Sequence, residues 1–174
     1  MSVEGKNVLF VVAPTNFRDE ELFVPKELLE KAGASITVAC NKVLPAKGMM
    51  GGQVVPDVEL KNVNAEDYDA IVFVGGNGAE IYFDNAQAHN VAKAAVNAGK
   101  VVCAICVAPS ILANAGLLEG KKATVFFGTK YQDNLKARGA IYTGGKVVVD
   151  GNIITANGPM AAKEFGEEII RALS

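Results

Sequence analysis

Five consecutive small or β-branched residues, Val101-Val102-Cys103-Ala104-Ile105, run without a polar interruption into Cys106-Val107-Ala108-Pro109-Ser110. So short an apolar run, with no alternation, is the pattern of a strand covered on both faces. It points to a parallel sheet sandwiched between helices. Residues 110–116 then take helical spacing and end on Gly116, so the chain turns from strand to helix at Cys106. The backbone doubles back at such a turn, which requires small side chains two positions before and two after it. Ala104 and Ala108 fill those positions, giving a cysteine version of the nucleophile elbow with alanines where glycines are usual. Cys106 would then sit at a helix N-terminus, whose free N–H groups and dipole favour a thiolate. The same letters also suit a small cysteine buried in a core strand, and the stretch alone leaves both readings open.

The rest of the chain repeats the alternation. Buried strands are expected at residues 6–13, 35–40 and 68–74, and helices over 19–31, 85–98 and 160–173. Pro25 falls in the first turns of the first helix, where a missing N–H is least costly. Residues 41–66 are glycine-rich with short extended pieces, and 53–58 reads as an edge ribbon. An apolar run at 122–127 is followed by a polar segment rich in Lys and Gln and by a further ribbon. Asp150-Gly151-Asn152 between 147–149 and 153–155 signals a hairpin. No repeat, linker or low-complexity tract interrupts residues 1–174. The expectation is one α/β domain, a three-layer sandwich of the open, doubly wound kind whose sites lie at the carboxyl ends of its strands.

Composition removes several classes of function. The formal net charge of the 174 residues is −2, which gives no basic footprint for nucleic acid. No run of 18 apolar residues occurs, so no membrane span is expected, and the first residues lack a signal-peptide pattern. Three cysteines without metal-site spacing fit a reducing compartment, and the cytoplasm is the expected setting. Cys103-x-x-Cys106 is a poor redox pair, because its first cysteine falls inside the strand and not at the helix start. No dinucleotide or P-loop signature is present, and neither a cofactor nor a metal is expected.

Three loops would meet at the carboxyl edge: residues 14–21, residues 75–78 and the Cys106 turn. Glycine pairs allow close backbone approach, so the N–H groups of Gly76 and Val107 could form an oxyanion hole, although Gly75-Gly76 also suits a plain tight turn. Asp19-Glu20-Glu21 could simply be a negative helix N-terminus facing water. Only Glu21 lies beside Leu22 and Pro25, where it could point inward. A buried carboxyl beside a thiolate would be pushed toward its protonated form and could donate a hydrogen bond to sulfur. The single histidine, His89, falls within the helix 85–98, facing solvent, and offers no base for a Cys–His pair.

Assembled in this way, the chain resembles the ThiJ/PfpI superfamily, which takes in the PfpI-type intracellular peptidases or amidases and the parkinsonism-associated deglycase. The resemblance covers nearly the whole chain. It rests on Ala104-Ile105-Cys106-x-x-Pro109, on Tyr68-Asp69 with Gly75-Gly76-Asn77, and on Asn157-Gly158-Pro159 before the last helix. It implies a flavodoxin-like sandwich, a usual dimeric state, and a reactive, readily oxidised cysteine at Cys106 bonded to a conserved acid at Glu21. Two departures stand out. The peptidases carry histidine immediately after the cysteine, where this chain has Val107. The deglycase branch keeps a histidine on the strand after the elbow helix, where this chain has Phe126.

Three readings follow. The first is an enzyme acting on a small-molecule substrate, a reactive carbonyl such as a glyoxal or a small amide. Cys106 would be its nucleophile and Glu21 its acid/base, with the N–H groups of Gly76 and Val107 receiving the oxyanion and with peptidase activity disfavoured. The second is a redox-sensing or protein-protective module working through oxidation of Cys106. The third is a retained fold with no reactive thiol. A homodimer or higher oligomer is expected under any of them, because the apolar stretch Met49-Met50-Gly51-Gly52 has no obvious place in a core.

Overall fold

The computed structural model describes residues 1–174. The chain opens with β1 (Asn7–Val11), the short β2 (Thr15–Phe17), α1 (Asp19–Lys31) and β3 (Ser35–Cys40). Three short strands follow, β4 (Ala46–Gly48), β5 (Gln53–Val54) and β6 (Val58–Glu59), and then β7 (Ala70–Phe73). Next come α2 (Ala86–Asn97), β8 (Val101–Ile105) and, after the turn at Cys106, α3 (Pro109–Asn114). β9 (Lys122–Ala123), α4 (Thr129–Ala137) and β10 (Ile141–Tyr142) lead to the hairpin of β11 (Val147–Asp150) and β12 (Ile153–Ala156), and α5 (Ala162–Leu173) closes the fold.

Seven strands form the central sheet in the order β11-β12-β8-β7-β1-β3-β6. All neighbours are parallel except the hairpin β11–β12. The fold is flavodoxin-like. Both faces of the sheet are covered, as the uninterrupted apolar runs require. Phe10, Val72, Cys103, Ile105 and Ile154 pack toward α1 and α5, against Leu22, Leu29, Phe165 and Ile169. Leu9, Ile71, Phe73, Val102 and Ala104 pack toward α2 and α3, against Val91, Ala95, Ile111 and Leu112. Gly166 in α5 allows the two helices of the first layer to touch, since a Cβ there would lie 3.1 Å from the Pro25 Cα. No helix is long and apolar enough to cross a membrane.

Four expectations need correction. Pro25 lies beyond the first turn of α1, so Glu21 C=O loses its i+4 partner, and the compensation is packing against α5. Residues 53–58 are not one ribbon: Pro56 separates β5, which pairs with β4, from β6, which joins the main sheet. The polar segment after residue 127 contains the helix α4, invisible to periodicity because Leu135 is its only fully buried residue. His89 does not simply face solvent: its ring Nε2 lies 2.7 Å from the Phe83 carbonyl oxygen.

Candidate active site

Because β1, β7 and β8 are neighbours, the loops leaving their carboxyl ends converge. Arg18 N–H donates to Gly75 O at 3.0 Å, locking the first loop to the second. Cys106 follows β8 with φ 66, a left-handed conformation that costs a non-glycine residue about 1–2 kcal/mol. Both of its peptide groups are tied: its N–H donates to Ala156 O at 2.9 Å, and its carbonyl accepts from Phe126 N–H at 2.8 Å. Ala104 and Ala108 beside the turn are fully buried, so the small residues stand where the reversal requires them. This is the strained elbow expected from the sequence.

The three acids at the start of α1 have three different fates. Asp19 accepts from the N–H groups of Met50 and Gly52, at 2.8 and 2.7 Å, and so holds the turn that brings Met49 to the site. Glu20 makes a bidentate pair with Arg18, at 3.1 and 2.9 Å. Glu21 is fully buried, and neither of its oxygens has a hydrogen-bond partner of ordinary geometry. Its neighbours are the Cys106 thiol and the Gly75 backbone. Gly75 is what allows the approach. A Cβ there would be 2.5 Å from both the Cys106 Cβ and the Glu21 Oε1, so those two atoms lie at most about 5 Å apart.

Burial pushes the Glu21 carboxyl up to about 8. Burial, and then the nearby Glu21 charge, pushes the Cys106 thiol up to about 12, against the N–H groups of Gly76 and Val107, which lower it. The expected ready thiolate is therefore corrected. At pH 7 the pair holds two protons, and α3, with six residues, is too short to offset the loss of solvent. One proton leaves near pH 8, and the second is held far longer because its loss would put two negative charges in one buried place. The pair shares the single charge: the Glu21 carboxylate meets the Gly75 backbone and the thiol, and on sulfur the charge meets the N–H groups of Gly76 and Val107. A neutral Glu21 then serves as a third donor.

The sulfur opens on a cavity of about 100 Å³ whose walls include Arg18, Met49, Asn77, Phe126, Tyr131 and Pro159. At about 30 Å³ per water in the liquid, this holds a ligand of only a few heavy atoms. Gly76 and Val107 complete the wall, and no histidine reaches it. The structure thus brings Cys106, Glu21, Gly76 and Val107 together, and adds Arg18 and Tyr131, which sequence reasoning did not single out, and Met49, which it placed in a stretch for contact between copies and not at the site. Arg18 was legible only as a loop residue before an acidic cluster, and Tyr131 lay in the unassigned polar segment.

The chain matches the DJ-1/PfpI family over residues 6–172. It is 33% identical to the deglycase of Pyrococcus horikoshii, across 95% of this chain and 98% of that protein. It is 29% identical to a glutathione-independent glyoxalase of Caenorhabditis elegans, across 97% of this chain and 89% of the other. Among solved structures it is similar to a ThiJ/PfpI domain protein from Brachyspira murdochii, with a TM-score of 0.93 and 34% identity over 98% of this chain and 97% of that one.

Proposed function

The chain belongs to the DJ-1/PfpI family, and from that premise we propose that it is an enzyme converting small reactive carbonyls, 2-oxoaldehydes above all, through Cys106. The observation that carries this reading is the strained Cys106 elbow facing an otherwise unpartnered, fully buried Glu21. Relatives named deglycase and glyoxalase support it. The Cys106 sulfur attacks the aldehyde carbon, and the carbonyl electron pair moves to oxygen, toward the N–H groups of Gly76 and Val107. The thiol proton passes through Glu21 to that oxygen, giving a hemithioacetal. In its ionised form Glu21 then takes the proton from the former aldehyde carbon, giving an enediolate. The hydroxyl proton of that carbon moves to the adjacent oxygen, and Glu21 returns its proton to the adjacent carbon, which leaves a 2-hydroxy thioester. Water cleaves the C–S bond, releasing the 2-hydroxy acid and restoring the thiol. The test is conversion of methylglyoxal to lactate by the purified chain, and its absence would overturn the reading.

Peptide hydrolysis is a different demand, because the leaving amine needs an acid separate from the group that activates the thiol. Losing such a partner removes about 10²–10⁴-fold in rate. Casein is therefore expected to remain intact, and casein cleavage that disappears in Cys106→Ser would contradict the assignment of roles.

One observation favours a redox reading as well. Two N–H groups and a neutral carboxyl around one sulfur would also hold the oxygens of a sulfinate formed with peroxide. A module of that kind leaves methylglyoxal untouched, which separates the two. Three free cysteines support a reducing, cytoplasmic setting.

We further propose that the chain works as a homodimer. Met50, Phe127 and Met160, each following a residue that lines the Cys106 cavity, are 64%, 72% and 87% exposed. An apolar rim of this kind around a cavity mouth suits a second copy. Light scattering at micromolar concentration should give twice the 18.2 kDa chain mass, and a monomer mass would refute the dimer.

A further inference from the structure

A second cavity, of about 220 Å³, lies beside the first, walled by α3, α4 and the 3-10 turn Asn77–Tyr82. Tyr131 is the one residue common to both walls. Its ring is edge-on to Phe126, which faces the Cys106 cavity, and to Phe83, which faces the second, with centroids 6.3 and 6.5 Å away. Gly128 leaves space for the ring, since a Cβ there would lie 3.0 Å from it.

The two cavities differ in chemistry. The second is walled by Ser110, Asn114 and Asn134 besides the aromatic rings. The Ser110 hydroxyl is buried and has no partner. A helical serine ordinarily turns back to the carbonyl one turn earlier, here that of Cys106, which accepts from Phe126 N–H, but the Ser110 hydroxyl makes no bond to it. A buried, unpartnered hydroxyl weakens folding and requires an explanation. The neighbouring amides are fixed in direction: Asn134 donates to Asn114 Oδ1 at 2.9 Å, and Asn114 donates to Asp84 Oδ1 at 3.0 Å. No protein donor reaches Asn134 Oδ1. At the rim Lys130 and Glu80 lie 3.8 Å apart and cancel in charge, so the cavity suits an uncharged hydrogen-bonding group and not an ion.

We propose that this cavity is a second subsite for the substrate of Cys106, in which Ser110 and Asn134 hold the hydroxyl groups of a chain too long for the first cavity, with Tyr131 as the partition. The substrate class is then uncharged, hydroxylated 2-oxoaldehydes of four carbons or more. This rests on the reading of Cys106 as the reacting group.

The test uses two alkylating probes that form the same thioether with loss of iodide, N-(2,3-dihydroxypropyl)iodoacetamide and N-propyliodoacetamide. Second-order rates at Cys106 are read by mass spectrometry and divided by the same ratio for free cysteine. The wild type should favour the dihydroxy probe by roughly fivefold, the worth of about one hydrogen bond. Ser110→Ala should bring the ratio down toward that of free cysteine, the remainder resting on Asn134, without lowering Tm, since it deletes an unpartnered group. A wild-type ratio of one, or equal ratios in wild type and Ser110→Ala, overturns the subsite. Failure to convert methylglyoxal would overturn the proposed activity while leaving this ratio where it stands. Absence of labelling by either probe overturns both.

Discussion

Cys106→Ser is expected to lower kcat/KM for methylglyoxal by about 10³-fold or more, because it removes the nucleophile and leaves only binding and the oxyanion donors. Serine is nearly isosteric, so the elbow, with its N–H on Ala156 and its carbonyl on Phe126, should survive. What is lost is acidity. A hydroxyl at this position has no base strong enough to ionise it: Glu21 is the only carboxyl within reach, and burial keeps it protonated to about pH 8. Steady-state turnover with the fold checked by circular dichroism measures the effect. Retention of more than a tenth of wild-type activity would move the chemistry away from Cys106.

Gly76→Ala is expected to cost about 3 kcal/mol of stability, from a left-handed backbone penalty of about 1–2 kcal/mol and overpacking of about 1–3 kcal/mol. Gly76 has φ 97, and a Cβ there would lie 2.5 Å from both Arg18 N and Asn16 O and 2.8 Å from the Phe17 carbonyl carbon. All three are backbone atoms, in the loop hydrogen-bonded to Gly75, and cannot swing aside as a side-chain tip would. At about 2–4 °C per kcal/mol for a chain of this size, Tm should fall by roughly 10 °C. The Gly76 N–H would also leave the sulfur, so any folded variant should lose turnover. A thermal melt indistinguishable from wild type would show that the loop is freer than its contacts imply.

Most of the fold was legible because the sheet is buried on both faces. Runs such as residues 101–105 and 35–40 carry the strand pattern in their own letters, and Asp19–Lys31 begins and ends where the sequence places it. The elbow was legible because the reversal permits so few residues around it. What escaped the sequence depended on distant partners. The helix α4 owes its place to Leu135 and Tyr131 packing on a core supplied by other elements. The three acids of α1 are identical in pattern, and only tertiary contacts divide them into a loop clamp, an Arg18 partner and a buried carboxyl. The protonation of Cys106 was misjudged for the same reason: the helix N-terminus is visible locally, whereas the burial that opposes it is not.

The central claim is that Cys106 and Glu21 act as one proton-sharing unit in which the neutral carboxyl supports the charged sulfur. Iodoacetamide alkylation of Cys106 between pH 5 and 10 tests it most directly. The wild-type rate should rise with pH, because the thiolate is the attacking form, and should level off once the pair has lost its first proton. Glu21→Gln keeps a donor toward sulfur and should stay close to that profile. Glu21→Leu removes the donor and leaves sulfur in a drier site, so its plateau should shift to higher pH. Its rate at pH 7 should fall by about 10–100-fold, the worth of a hydrogen bond to a charged group. A Glu21→Leu profile that overlays the wild type, or one that reacts faster at pH 7, would contradict the account.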